Sequence, residues 1–392
     1  MVQLRPVALR LVHEDWLDRV PAPAYDALTP SERRKFRDEH PESYLNVTRS
    51  PEDDPAGRGV QNHTYLAEGR ATLERLLASG AFTDVGSPAY YLYRLELAGH
   101  SQIGIVAEIA VDAYAAGDVR IHEEIRQNRA DLLADHLAVV RASSSPVAVG
   151  FRGNAPLAAE LERLTAAQPP VIDLRDESGL HQSIWCIDDA AEVGALSELI
   201  GDVPMYIVDG HHRAAAALTA ANKAGEGHGI TMFVAAFADD SLQLLGFNRW
   251  VREVPGESPA DALVGIDSLE PVDGQPELTC GVIGLYARGQ WYRCALDLAD
   301  GAHFDAVAVR DQLLGPVFGI HAGDDERLVN LAGDQPIEGL IDTVDTDGGV
   351  AIVMAPIEIE AFMAAADAGT VLPPKSTYFT PKVRSGLFLR EY

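Results

Sequence analysis

A mixed α/β fold, of the α+β kind with small mixed sheets and surrounding helices, is what the sequence predicts, and three observations predict it. Runs rich in β-branched and aromatic residues alternate with helix-periodic segments along most of the chain. Two strand-like runs, 90–97 and 102–111, face each other across Ala98-Gly99-His100-Ser101. A third run, Met205-Tyr206-Ile207-Val208, passes through the turn dipeptide Asp209-Gly210 straight into an alanine-rich helix that opens with His211-His212-Arg213.

The elements follow in order. The segment 20–54 is rich in proline, tyrosine and charge. Thr29-Pro30 is a helix cap within it, and Tyr25, Phe36, Tyr44, Leu45 and Val47 give it apolar surface to bury, so it is not a linker. Helical periodicity covers 63–77, and a long helix is expected over 123–141. Short strands are expected at 147–151, 171–174 and 183–187, with helices at 156–166, 190–200 and, late in the chain, 357–368. Three regions result: 1–145, 146–255 and 256–392.

Composition narrows the function classes. Among 392 residues there are 59 Asp and Glu against 31 Lys and Arg, a formal charge of −28. Such a surplus opposes nucleic-acid binding, which needs clustered cations, and any phosphate site must be locally basic. A hydrophobic content of 47% with 23% charged residues is ordinary for a globular chain. The three cysteines, Cys186, Cys280 and Cys294, have no CxxC spacing and suit a reducing compartment. Charges within the first fourteen residues are unlike a signal peptide, and no run approaches the ~18 apolar residues of a membrane span. A cytoplasmic protein with no membrane or nucleic-acid partner is expected, with room for a homo-oligomer.

The sharpest local signal is the strand–turn–helix at 205–213. Its helix start and the Arg213 guanidinium make a compact anion site, Gly210 allows a ligand close to the backbone, and Asp209 at the strand end is a candidate divalent-metal ligand. Capping would explain Asp209 but not the adjacent His211, His212 and Arg213. On the helix expected over 123–141, His122, Arg126 and Arg129 share one face with Glu123 beside them; a solvated, salt-bridged surface would look the same. Near the end, the stretch 372–382 is stiff, basic and hydroxyl-bearing, and Lys375 and Ser376 suit an anion as well as they suit a pinned tail. His181 and Trp185 lie on the same side of a strand, where a lone histidine is more often a wall residue than a catalyst.

Seven segments in this order resemble one family, the domain-of-unknown-function family 1015: APAYD (22–26), HPESYLNV (40–47), YLYRLE (91–96), IHEEIRQNRADLLADH (121–136), GLHQSIW (179–185), YIVDGHHRAAAA (206–217) and PPKSTYFTPK (373–382). The DGHHR segment also looks like the phosphate-binding turn of the ParB and sulfiredoxin superfamily, which includes free L-serine kinases. That resemblance implies a ParB/sulfiredoxin-like core at 146–255 and a nucleotide site at Gly210, His211, His212 and Arg213. Sulfiredoxin needs a cysteine inside the turn, where this chain has His211 and His212, so sulfinic acid reduction is disfavoured. After the next strand the family's usual His-Arg pair is replaced by Asn248-Arg249.

Two function classes follow, with a third behind them. The first is a small-molecule kinase, of free L-serine or a similar metabolite, with ATP or ADP as phosphate donor on the turn and Mg²⁺ near Asp209. Arg126, Lys375 and Ser376 would join the phosphate site, Asp26 or Glu123 would be the general base, and Tyr25, His122 and His181 would touch the substrate. The second is a nucleotide-binding regulatory protein without turnover. The third is a metal hydrolase built on Asp209, His211, His212 and a distant histidine such as His122 or His181. Adjacent histidines at a helix start point in different directions, which limits that site to one of the pair. No Walker A pattern, GxGxxG or zinc ribbon is present in the sequence.

Overall fold

Thr29 begins the first helix, α1 (Pro30–Glu39), with a reciprocal cap: its side chain accepts from the Glu32 N–H, and the Glu32 carboxylate accepts from the Thr29 N–H. The computed structural model describes residues 2–23, 25, 28–53, 62–225, 231–256, 262–266, 268–298, 304–322, 325–373 and 375–392. The chain divides into two compact units. The first comprises 1–121, 125–242 and 381–392, and the second 122–124 and 243–380.

The first unit is built on an eight-stranded mixed sheet. Its strands are β1 (Tyr90–Leu97), β2 (His100–Ala110), β3 (Val119–Arg120), β4 (Val147–Phe151), β5 (Ile172–Arg175), β6 (His181–Ile187), β7 (Met205–Asp209) and β8 (Thr231–Ala238). They lie in the order β3-β7-β4-β8-β2-β1-β6-β5. β1 and β2 are joined by a two-residue turn, Ala98-Gly99, with φ of 50° and 85°. Positive φ at both positions matches the twist of a hairpin, and it starts β2 two residues earlier than the sequence suggests. β4 is buried at every position, as expected of a strand covered on both faces.

Helices α2 (Asn62–Ala78), α3 (Gln127–Val140), α4 (Ala155–Ala167), α5 (Ala190–Ile200) and α6 (His211–Ala224) accompany the sheet. Val147, Val149, Leu157, Leu161, Leu196, Ile207, Ala214 and Val234 are among the residues of one buried cluster that joins its strands to α4, α5 and α6. A four-stranded sheet, in the order Phe82–Asp84, Arg10–Val12, Phe388–Glu391 and Ala142–Ser143, brings the last residues of the chain beside the first.

Residues 1–145 and 146–255, expected as separate regions, therefore contribute strands to one sheet: β4, from the second region, pairs within it with β7 and β8, and β8 with β2 from the first. Their apolar faces are buried in a shared cluster, within one compact unit. The long helix expected over 123–141 begins only at Gln127. Arg126 has φ −80° and ψ 107°, and Glu123 bridges in parallel to Leu372, so this stretch is extended backbone rather than a first helical turn.

The second unit holds a six-stranded antiparallel sheet, ordered Leu269–Val272, Gln290–Ala295, Val282–Ala287, Val350–Val353, Phe247–Val251 and Leu328–Ala332. Val251, Ile283, Leu285, Val309, Phe318 and Ile352 belong to its buried core. A separate pair of strands joins Gln243–Leu245 to Tyr378–Thr380. The mixed α/β class expected from the sequence is the one observed.

Candidate functional site

The turn at the end of β7 takes its shape from Gly210 and Arg213. Gly210 has φ +96°, and a Cβ at that position would lie 2.8 Å from the guanidinium carbon of Arg213. The positive φ favours glycine here, since an L side chain at this position would be strained. Arg213 folds back over it, donating from Nη2 to Asp209 Oδ2 at 2.5 Å and from Nη1 to the Pro146 carbonyl. Asp209 Oδ1 accepts from Lys382 Nζ at 2.6 Å. The register of β7 against β4 shifts between Ile207 and Asp209, an irregularity that re-aims the final side chain of the strand.

Asp209 is 11% exposed and carries one cation on each oxygen. A carboxylate neutralised on both sides is a structural ion-pair centre and does not fit a resident Mg²⁺, the role its place at the strand end suggested. Arg213 likewise braces the turn. The helix it opens, α6, has no side-chain cap, since its N-cap is Gly210. The positive end of the helix dipole is thus beside His212 and Arg213 without an acidic cap of its own.

His212 and Arg213 line an open cleft within the first unit. Its apolar side includes Leu133, Leu137, Val147, Ala216, Met232 and Phe233, and its polar side includes Tyr25, Thr48, Arg129 and Ser143, Ser144 and Ser145. A second cleft shares Tyr25, Thr48, Arg129, Leu133 and His136 and adds Arg49, Ser50 and Asn62. Arg129, Leu133, His136 and Leu137 stand at i, i+4, i+7 and i+8 of α3, a single helix face. Because the helix starts later than the sequence suggested, its cleft-facing series is led by Arg129. Arg126 is exposed, and its backbone N–H donates to His212 Nε2 at 3.2 Å, which makes that nitrogen an acceptor.

The serine wall is tied to the returning end of the chain. Ser144 Oγ donates to the Phe388 carbonyl and accepts the Gly386 N–H at 2.6 Å, and the Ser145 and Ser385 hydroxyls lie 2.5 Å apart. Tyr25 is held from the other side. Arg33 stacks 4.0 Å over its ring and donates to its carbonyl, while the Tyr25 hydroxyl donates to Asp53 at 3.1 Å. Asp53 is itself buried between Arg33 at 2.6 Å and Arg37 at 2.5 Å, so the rim of the cleft at Tyr25 is rigidly braced. Asp26 lies outside the described residues.

The remaining candidates are placed elsewhere. His181 sits between two carboxylates, with Nδ1 2.9 Å from Glu96 and Nε2 2.6 Å from Asp173 across β1 and β5, and it lines neither cleft. His211 is buried. Four candidates belong to the second unit. His122 is 2% exposed, with Nε2 2.9 Å from the Thr377 hydroxyl and its ring against Phe362. Glu123 bridges to Leu372. Lys375 has φ 61°, with Nζ 5.3 Å over the Phe247 ring, and buried Ser376 donates to the Pro373 carbonyl at 2.7 Å.

His136 was not singled out as a site residue from the sequence, although the i+7 spacing from Arg129 marks it. It is 8% exposed, and burial pushes its pKa from the ordinary 6.5 down to about 4. The fold accepts the neutral ring, so as pH falls below 6.5 the unfolded chain takes up the proton first and stability declines, levelling off near pH 4. The expected loss over that window is roughly 3 kcal/mol, and His136→Gln should flatten it in urea unfolding followed from pH 7 to pH 4. Identical pH profiles for the two proteins would refute this.

The profile of the family described as "Protein of unknown function (DUF1015)" matches residues 4–313. No curated protein matches. Similar solved structures include a free serine kinase in complex with AMP, at 12% identity and TM-score 0.38, covering 72% of this chain and 91% of that one. A conserved hypothetical protein from Pyrococcus furiosus has 12% identity and TM-score 0.34, with 73% and 94% covered. SbnI with a C-terminal truncation, from Staphylococcus aureus, has 13% identity and TM-score 0.39, with 72% and 85% covered. Among the described residues no helix is long and apolar enough to cross a membrane.

Proposed function

The chain belongs to the DUF1015 family, and from that premise we propose that it is a nucleotide-dependent kinase acting on the hydroxyl of a small metabolite such as free L-serine. The nucleotide would lie in the cleft of the first unit. The observation that carries this reading is the pairing, in one cleft, of an apolar floor with a cationic end where α6 begins without a side-chain cap. The floor suits a flat base, and Arg129, His212 and the dipole end of α6 suit phosphates in a chain that is otherwise strongly acidic. Positioning and charge stabilisation would carry most of the barrier reduction, as in phosphoryl transfer generally. Asp209 is already paired, so no step is routed through a metal held by it.

The first test is binding. Arg129→Ala removes a cleft cation without touching the Asp209 ion pairs, and it should weaken ADP about 10-fold or more in calorimetric titration with the fold retained. Unchanged affinity would remove the nucleotide from this cleft. The second test is turnover. Purified protein incubated with Mg²⁺, a panel of nucleotides and a pool of free amino acids and polyols should yield one product heavier by a single phosphate in mass spectrometry. Binding without any such product would select the regulatory reading instead.

A further inference from the structure

We propose that the second unit carries its own binding site for a small ligand bearing an oxyanion, a phosphate or a carboxylate, in the cleft walled by Arg249, Arg310, His321 and Asn330. It goes beyond the nucleotide cleft of the first unit and does not depend on it. The cleft measures about 290 Å³, and Leu314, Ile320 and Leu328 are among the residues that supply its apolar lining.

Arg249 is the reason to assign a ligand. It lies on the strand Phe247–Val251 and is 3% exposed, and among the described residues its acceptors are neutral: the Asn330 side-chain oxygen and the Lys375 carbonyl at 3.1 Å. Its Nε has no hydrogen-bond partner, and among the described residues no carboxylate pairs with it. A buried guanidinium with no counter-charge is costly, and burial accordingly pushes its pKa down to about 10. Elsewhere the chain buries arginines against acids, as Arg33 and Arg37 against Asp53. Among the described residues an acidic protein with ample carboxylates sets none against this arginine, which is the arrangement expected where the anion arrives from solution.

The surrounding backbone is also irregular. Arg310–Leu314 forms a π-helical turn, in which the Gly315 N–H reaches the Arg310 carbonyl at 3.2 Å, and Arg310 and Leu314 both line the cleft. Such turns cost regular hydrogen bonding and concentrate at functional sites. Lys375, which presents its carbonyl to Arg249, is held at positive φ although it is not glycine. Arg310 is bound by Asp311 at 2.7 Å but stays half-exposed, so it can share its charge with a ligand. Glu124 is exposed in the same wall and would favour a ligand that also carries an ammonium group.

The experiment measures thermal unfolding of the full chain with inorganic phosphate, with L-serine, and with NaCl at matched ionic strength, since a charge of −28 makes any salt stabilising by screening. At least one oxyanion should raise the midpoint beyond NaCl, with phosphate or serine identifying which group the site takes. Arg310→Gln should weaken that effect about 10-fold, Arg249→Met should remove it, and Arg129→Ala in the first unit should leave it in place. The proposal is overturned if neither oxyanion exceeds NaCl, if the effect survives Arg249→Met, or if Arg129→Ala abolishes it. Should Arg249→Met fail to fold, the Arg310→Gln titration decides, and unchanged affinity there overturns the site.

Discussion

Asp209→Ala is expected to cost about 3–5 kcal/mol in urea unfolding, because it removes the buried carboxylate that two partly buried cations, Arg213 and Lys382, now share. Arg213 would keep the Pro146 carbonyl, but Lys382 would lose the ion pair that ties it to the end of β7. Lys382→Met leaves the Arg213 pair intact and should cost clearly less. The same experiment separates an ion-pair centre from a metal ligand. If Asp209 bound Mg²⁺, the wild type would gain stability with Mg²⁺ in the absence of nucleotide and the variant would not. The expected result is a large loss with no Mg²⁺ dependence. A loss under 1 kcal/mol together with Mg²⁺-dependent stability of the wild type would return Asp209 to the metal role.

The sequence made local structure legible wherever local chemistry decided it. Thr29-Pro30, with Glu32 three residues after the threonine, specifies a helix start, and α1 begins there; β4 and α5 fall where apolar pattern and caps put them. The turn at Asp209-Gly210 was legible for the same reason. What the sequence could not show is what each charge meets. Asp209 reads as an open carboxylate until Lys382, 173 positions away, is seen to sit on it. Arg126 reads as a ligand only if the helix begins four residues early. The extended backbone at Glu123 depends on a bridge to Leu372, a contact no local pattern encodes. Arg249 is visible in the sequence only as the retained half of a His-Arg pair whose first member is Asn248, and its missing counter-charge is a tertiary fact.

Asp26→Asn is expected to lower turnover about 100-fold or more while leaving nucleotide affinity nearly unchanged, if the protein is a kinase with a carboxylate base. Asp26 is preferred because its neighbour in sequence, Tyr25, lines the nucleotide cleft and is fixed by Arg33 and Asp53. A base must be held within hydrogen-bond reach of the substrate hydroxyl, and a rigid rim is the setting in which a short carboxylate can be so held. Glu123 is the competitor. It belongs to the second unit, where its backbone is engaged with Leu372, and it lines neither cleft of the first. The asparagine variant keeps the size of the side chain, so a fall in kcat at constant KM for the nucleotide reports chemistry rather than binding. Full turnover in Asp26→Asn with loss in Glu123→Gln would transfer the role. Full turnover in both would leave the hydroxyl to be deprotonated without a carboxylate, and the proposed mechanism would fail while the nucleotide cleft could still stand on its binding test.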